Sequence, residues 1–408
     1  MVRSSKNTFR IFMYPWFAMG HLTPYLLTAN KVAARSHKIF LIIPPKAQSK
    51  LDPLNLHSDL IEFRPISIPT VEGLPAHMET RADATFLETH FLRYALDLTQ
   101  PIIESLLCDL KPDFIFFDFM HWLPGLARRL QVMSVQYSVA SPAALCKHSA
   151  SDFEYFESAK EMGSGITMKQ RLVAAICESD AIGFKACKEI EGEYCEFLEK
   201  KLKKLMLLAG PMVPKSHADL TLDQKWANWL DKFKPKTVIF CAFGSEAVLK
   251  KDQFEDLLTG LPFLIALRPP LGVDSIEEDL PDGFKERTKE RGIVYGGWVP
   301  QQLILKHPSV GCFVTHCGYG SMWDGMMLDC QLVALPHEGD QYVNKGDDDG
   351  LFTKECVHGA IMATMAEGSV IGKEVRDNHD KWREFLVRKE LEDSYTDNFA
   401  EMLLRLAH

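Results

Sequence analysis

The chain has 408 residues, which at roughly 100–200 residues per domain predicts two or three domains. A hydrophobic share of 46% with 25% charged residues excludes a disordered or fibrous chain. Lys+Arg number 46 against 55 Asp+Glu, a net charge of −9 that argues against a nucleic-acid binder, and no apolar run reaches the ~20 residues needed to span a bilayer. Residues 1–7 are polar, and the short apolar run after them contains Pro15, so it reads as a first strand and not as a secretory signal. That run is Phe9–Phe17. Lys38–Pro44, Ile61–Ile68, Phe114–Phe119, Ser134–Val139, Ala181–Phe184 and Leu205–Ala209 follow it. A second set comprises Thr237–Phe243, Phe263–Leu267, Gly292–Tyr295, Gly311–Thr315 and Gln331–Leu335. Short runs rich in Ile, Val and Phe fit strands buried on both faces, and the helix-like stretches between them imply βαβ units with parallel sheets.

Two such sets predict an α/β chain of two Rossmann-like domains, over residues 1–213 and 214–384. Gly210–Asp223, with two prolines and many polar residues, is the candidate linker. Residues from about 378 read as terminal helices, of which 385–408 is expected to pack back on the first domain. The ten cysteines form no CxxC pair and no Asn-x-Ser/Thr sequon occurs, so free thiols in a reducing, cytoplasmic compartment are expected. Lys200–Lys204 (KKLKK) reads as a solvated helix face. Asp347–Asp349 is not a calcium loop, because the twelfth position counted from Asp347 is His358 and not Glu.

Trp298–Gln341 carries the chemistry. The strand Gly311–Thr315 runs into His316-Cys317-Gly318-Tyr319-Gly320-Ser321, with a helix expected from about Ser321. Glycines at such a turn let the backbone approach a ligand, and a helix N-terminus suits phosphate. Ser321 is placed to cap the helix or to bind a phosphate oxygen. Singly, each residue has a plainer reading: Trp298 as core, His316 as a buried histidine, Ser321 as a simple cap. On the acceptor side, Gly20-His21 follows the first strand. A histidine there can take a proton from an alcohol, although alone it reads more readily as a capping or core residue. Asp118, at the end of FIFFDF, is an acid in an apolar setting that needs a partner. His121 is a competing base candidate.

The spacing of Trp298, Gln301, the His316–Ser321 turn and Asp340-Gln341 over 44 residues resembles the signature box of plant family 1 UDP-sugar-dependent glycosyltransferases. The resemblance implies the GT-B fold, two Rossmann-like domains whose parallel sheets face a central cleft. It also implies roles at the donor. Trp298 would stack on uracil and the Val299 backbone would read the uracil edge. Gln301 and Asp324 would hold the ribose. His316, Gly318, Gly320, Ser321 and, from a second loop, Ser245 would meet the diphosphate, and Asp340 and Gln341 the sugar. His21 would be the base and Asp118 its partner. Trp16, Phe17, Phe119, Trp122 and Ser141 are the expected acceptor lining.

Three positions depart from the common box: Tyr319 for Trp, Gly320 for Asn and Asp324 for Glu. Gly-Ser followed by Met322-Trp323, and HWLPGLARRL beyond Asp118, look like the branch-forming clade, which adds a sugar to the sugar of a flavonoid or anthocyanin glycoside. The implied activity is inverting transfer from UDP-glucose, UDP-xylose or UDP-rhamnose. It needs no metal and no cofactor, and its only partners are the acceptor and the UDP-sugar; the protein is expected to be a monomer. Direct glycosylation of an aglycone and an inactive UDP-sugar-binding protein are the alternatives. The chain is several dozen residues shorter than such enzymes, and loops are expected to be missing near 147–165, 256–261 and after 344.

Overall fold

The structure, a computed structural model, describes residues 8–75, 78–83, 88–150, 164–212, 221–244, 260–269, 275–276, 280–336, 341, 354–366 and 368–408. The chain divides into two compact units, Met1–Ala218 with Lys389–His408, and Asp219–Arg388. No helix among the described residues is long and apolar enough to cross a membrane.

The first unit holds seven parallel strands: β1 (Arg10–Tyr14), β2 (Lys38–Ile43), β3 (Ile61–Pro65), β4 (Phe114–Phe117), β5 (Met133–Ser138), β6 (Ala181–Phe184) and β7 (Leu205–Leu208). The second holds β8 (Val238–Ala242), β9 (Phe263–Ala266), β10 (Gly292–Tyr295), β11 (Val310–Thr315) and β12 (Gln331–Ala334). Each apolar run read from the sequence overlaps one of these strands, with β5 and β11 each beginning one residue before the run. The first run is cut short at Tyr14, because Pro15 has no N–H to extend the ladder.

The sheet orders are β3-β2-β1-β4-β5-β6-β7 and β10-β9-β8-β11-β12. Both read third, second, first, fourth, fifth in the order of their own unit, the doubly wound pattern. In such sheets ligands bind beyond the carboxyl ends of the strands where the order reverses. That point lies between β1 and β4 in one unit and between β8 and β11 in the other. Burial on both faces explains the continuous apolar runs. In β8, Ile239 and Cys241 join one core cluster, and Val238, Phe240 and Ala242 join another.

The helix Lys389–Ala407 packs against β7 and the helix Met19–Ala33. Its Phe399 sits 6.0 Å from Phe116 of β4, and the Tyr395 hydroxyl accepts from the Lys188 N–H and donates to Glu189, both at 2.7 Å. Gly210 lies beneath that tyrosine at φ 70°, and a Cβ there would stand 2.3 Å from the ring. Only glycine satisfies both the backbone conformation and the contact.

Candidate active site

The β1–β4 junction is clamped by two carboxylates. Asp113 accepts the Arg10 N–H at 2.8 Å at the entry end, and Asp118 accepts the Trp16 N–H at 2.7 Å at the exit. The same Asp118 Oδ2 lies 3.0 Å from His21 Nδ1, on the first turn of the helix Met19–Ala33. The aspartate side chain is 4% exposed and the histidine 27%, so the acid is enclosed while part of the imidazole reaches solvent. An aspartate that accepts at Nδ1 leaves Nε2 as the basic nitrogen of the neutral ring. Burial first, and the Asp118 charge after it, push the Tyr25 phenol well up; burial does the same to Tyr137. Both tyrosines stay neutral beside the pair.

Of the expected acceptor lining, Trp16 and Phe119 come together, ring centroids 5.3 Å apart, and the Phe119 edge meets His21 at 6.4 Å. Trp122 is half-buried and donates its indole N–H to Asp97 at 3.2 Å. Two residues fall elsewhere. Phe17 is fully buried against Tyr14, and Ser141 is buried with its hydroxyl accepting the Ala144 N–H at 3.0 Å, as a helix cap. An aromatic that follows a strand reads the same in sequence whether it faces a ligand or the core. His121 belongs to a separate cluster. Arg171, 1% exposed, grips both oxygens of Asp97, and its Nη1 lies 3.3 Å from His121 Nδ1. The same His121 nitrogen lies 3.8 Å from Asp97 Oδ1, so the imidazole is the third member of that cluster. This Asp97–Arg171 pair spans 74 positions and carried no local signal in the sequence.

In the second unit, the β11 exit places His316 with Nδ1 3.4 Å from the Ala242 carbonyl at the end of β8. The next residue, Cys317, takes φ 66°, and the helix Tyr319–Met327 follows with Gly318 as its N-cap and no side-chain cap. The helix therefore begins two residues earlier than expected, and Ser321 lies inside the first turn and does not cap it. A Cβ on Gly318 would stand 2.5 Å from His316 Nε2, and one on Gly244 (φ 71°) 2.8 Å from it. Gly320 has nothing within 4 Å of a built Cβ. The turn thus offers backbone N–H groups at a helix start with open space above Gly320, a setting suited to an anion.

Beside it, Trp298 is 52% exposed while Val299 is buried in the core beneath it. The Gln301 amide donates to Asp324 at 2.9 Å and to Ser321 at 3.3 Å, and Gln302 donates to the other Asp324 oxygen at 2.9 Å. Gln301, Ser321 and Asp324 are thereby brought together, with Gln302 as a member the sequence reading missed. Gln341 is described and buried; Ser245 and Asp340 lie outside the described residues.

Two doubly wound parallel sheets, with a His–Asp pair at one switch point and a glycine-lined turn at the other, have the architecture of a GT-B glycosyltransferase. The family model for UDP-glucoronosyl and UDP-glucosyl transferases matches residues 275–365. The chain is 45% identical to a cyanidin 3-O-galactoside 2''-O-xylosyltransferase of Actinidia chinensis var. chinensis, over 97% of this chain and 98% of that one. It is 43% identical to an anthocyanidin 3-O-glucoside 2''-O-glucosyltransferase of Ipomoea nil, over 98% of each. The chain belongs to the UDP-glycosyltransferase family and is a UDP-sugar-dependent glycosyltransferase.

Among solved structures, Arabidopsis thaliana UGT89C1 complexed with UDP-L-rhamnose matches with a TM-score of 0.80 at 21% identity, covering 99% of this chain and 100% of that one. Glycyrrhiza uralensis UGT73P12 complexed with glycyrrhetinic acid 3-O-monoglucuronide also gives 0.80, at 18% identity over 98% and 96%. The Actinidia alignment spans 450 positions yet uses 97% of a 408-residue chain, about 396 residues, so about 54 aligned positions have no counterpart here. The three connections expected to be short lie largely outside the described residues.

Proposed function

We propose that the protein transfers a sugar from a UDP-sugar to a sugar hydroxyl of a flavonoid or anthocyanin 3-O-glycoside, with inversion at the anomeric carbon. The observation that carries this reading is the 3.0 Å contact between His21 Nδ1 and the enclosed Asp118. Asp118 orients the imidazole and stabilises its protonated form, while Nε2 takes the proton from the acceptor hydroxyl. The oxygen attacks the anomeric carbon from the face opposite UDP, and the bond to the diphosphate breaks as the new one forms. The growing charge on the diphosphate is met by the N–H groups of the Gly318–Ser321 turn and by His316. Trp298 stacks on uracil, the Val299 backbone holds its edge, and Gln301 with Asp324 binds the ribose. Ser245 contributes to the diphosphate site, and Asp340 and Gln341 bind the donor sugar.

The names of the Actinidia and Ipomoea relatives, a xylosyl- and a glucosyltransferase acting on 3-O-glycosides, support a glycoside acceptor. Nine of the ten cysteines are free thiols, which supports a cytoplasmic location. The test is a grid of UDP-glucose, UDP-xylose and UDP-rhamnose against cyanidin, cyanidin 3-O-glucoside and cyanidin 3-O-galactoside, read by UDP release and product mass. A disaccharide product from a 3-O-glycoside is expected. Activity on cyanidin alone would refute the acceptor assignment, and no UDP release with any pair would remove the active-enzyme reading.

A further inference from the structure

Gln136 lies on β5, opposite Phe117 of β4 in the parallel register, and is 3% exposed. Its amide nitrogen donates to the main-chain carbonyl of Asp118 at 3.1 Å. That carbonyl only accepts, so the amide orientation is set: Nε2 points to Asp118 and Oε1 points away. Among the described residues Oε1 is buried with no hydrogen-bond partner. A buried amide with one end unmatched costs stability that an apolar side chain of the same length would not. The bond it does make falls one residue beyond the end of β4, where Asp118 leaves the strand ladder.

Asp118 is thus held at two points, its carboxylate by the Trp16 N–H and its carbonyl by Gln136. We propose that Gln136 is a positioning residue for the reaction, acting through Asp118 to fix the geometry of the His21–Asp118 pair. The inference rests on the His21 base reading. Among the described residues, the titratable groups that act on this carboxylate include His21, Tyr25 and Tyr137, and the two phenols remain neutral. A change at Gln136 therefore reads out through His21. Loosening Asp118 weakens its support of the imidazolium and moves the acid limb of the rate profile to lower pH. A glutamic acid at position 136, buried and facing the Asp118 carbonyl, is held protonated, and its hydroxyl donates to that carbonyl and keeps Asp118, and with it the acid limb, in place.

The experiment measures kcat/KM for the acceptor against pH, at saturating UDP-sugar, for wild type, Gln136→Leu and Gln136→Glu, with Tm and the UDP-sugar KM alongside. Gln136→Leu is expected to lose about threefold to tenfold in kcat/KM, the worth of one neutral hydrogen bond, with the UDP-sugar KM unchanged. The acid limb of Gln136→Leu is expected at lower pH, and that of Gln136→Glu at its wild-type position. A Gln136→Leu limb superimposable on wild type, with only Tm lowered, would overturn the proposal and leave Gln136 as packing. A His21→Ala control separates the two readings. Full activity in that control refutes the base assignment itself, whereas its inactivation together with an unmoved Gln136→Leu limb refutes only this inference.

Discussion

Replacing Asp118 by asparagine keeps the size of the side chain and removes its charge. The carboxylate stands 3.0 Å from His21 Nδ1, where a full charge pair at an effective dielectric of ~20 is worth about 5 kcal/mol. An amide oxygen in the same place recovers part of this as a neutral hydrogen bond, so the imidazolium formed during proton transfer loses about 3–5 kcal/mol of support. At 1.36 kcal/mol per decade that is roughly a 10²- to 10⁴-fold loss in kcat. The fold is expected to survive, because the asparagine oxygen still accepts the Trp16 N–H and the change there, charged to neutral, costs about 1 kcal/mol. Initial rates of UDP release at saturating donor and acceptor give kcat, and thermal unfolding checks integrity. A well-folded Asp118→Asn protein within about threefold of wild type in kcat would refute the argument that this charge supports the base.

Trp298→Ala is expected to weaken UDP binding by about 1–3 kcal/mol in calorimetry, with Tm unchanged because the ring is already half exposed. Gly318→Ala drives a methyl to 2.5 Å from His316 and is expected to raise the UDP-sugar KM. Gly320→Ala, whose methyl meets no protein atom within 4 Å, should slightly stabilise the first helical turn while raising the UDP-sugar KM, because the methyl enters the space assigned to the diphosphate. Burial lowers the pKa of His37 and of His379 in the folded protein, against the smaller opposing effects of Asp113 and of the Gly325 carbonyl. His37 Nδ1 accepts the Phe9 N–H at 3.0 Å, which requires the neutral ring. The unfolded chain then binds the extra protons, so Tm should hold above about pH 6.5 and fall as pH drops through it. His37→Gln, which keeps an acceptor but does not titrate, is expected to flatten that decline.

Most of the twelve described strands were readable because burial on both faces writes them as apolar runs with no alternation to decode, whereas β3 (IEFRP) and β5 (MSVQYS) carry polar residues within the strand. The His316–Ser321 turn was readable because glycine spacing is local. What escaped depends on approach between distant segments. Gln302 beside Asp324 and Gln136 beside the Asp118 carbonyl are ordinary polar residues until the sheet registers them. The placement of Phe17 and Ser141 failed for a related reason: proximity to a strand end does not say which way a side chain turns. The start of the helix at Tyr319 was misplaced because Gly318 takes the cap position itself, leaving Ser321 to meet the Gln301 amide.

The helix Lys389–Ala407 gives the molecule a particular order of manufacture. The first unit closes on residues that leave the ribosome after all 170 residues of Asp219–Arg388. At about 5–20 residues per second that is a wait on the order of ten to thirty seconds. During that interval Gly210, Phe116 and the outer face of β7 lack the tyrosine, phenylalanine and helix that later cover them. The nascent first unit is then open to chaperones, and a stop codon before Lys389 would release a second unit with its core whole and a first unit permanently unfinished.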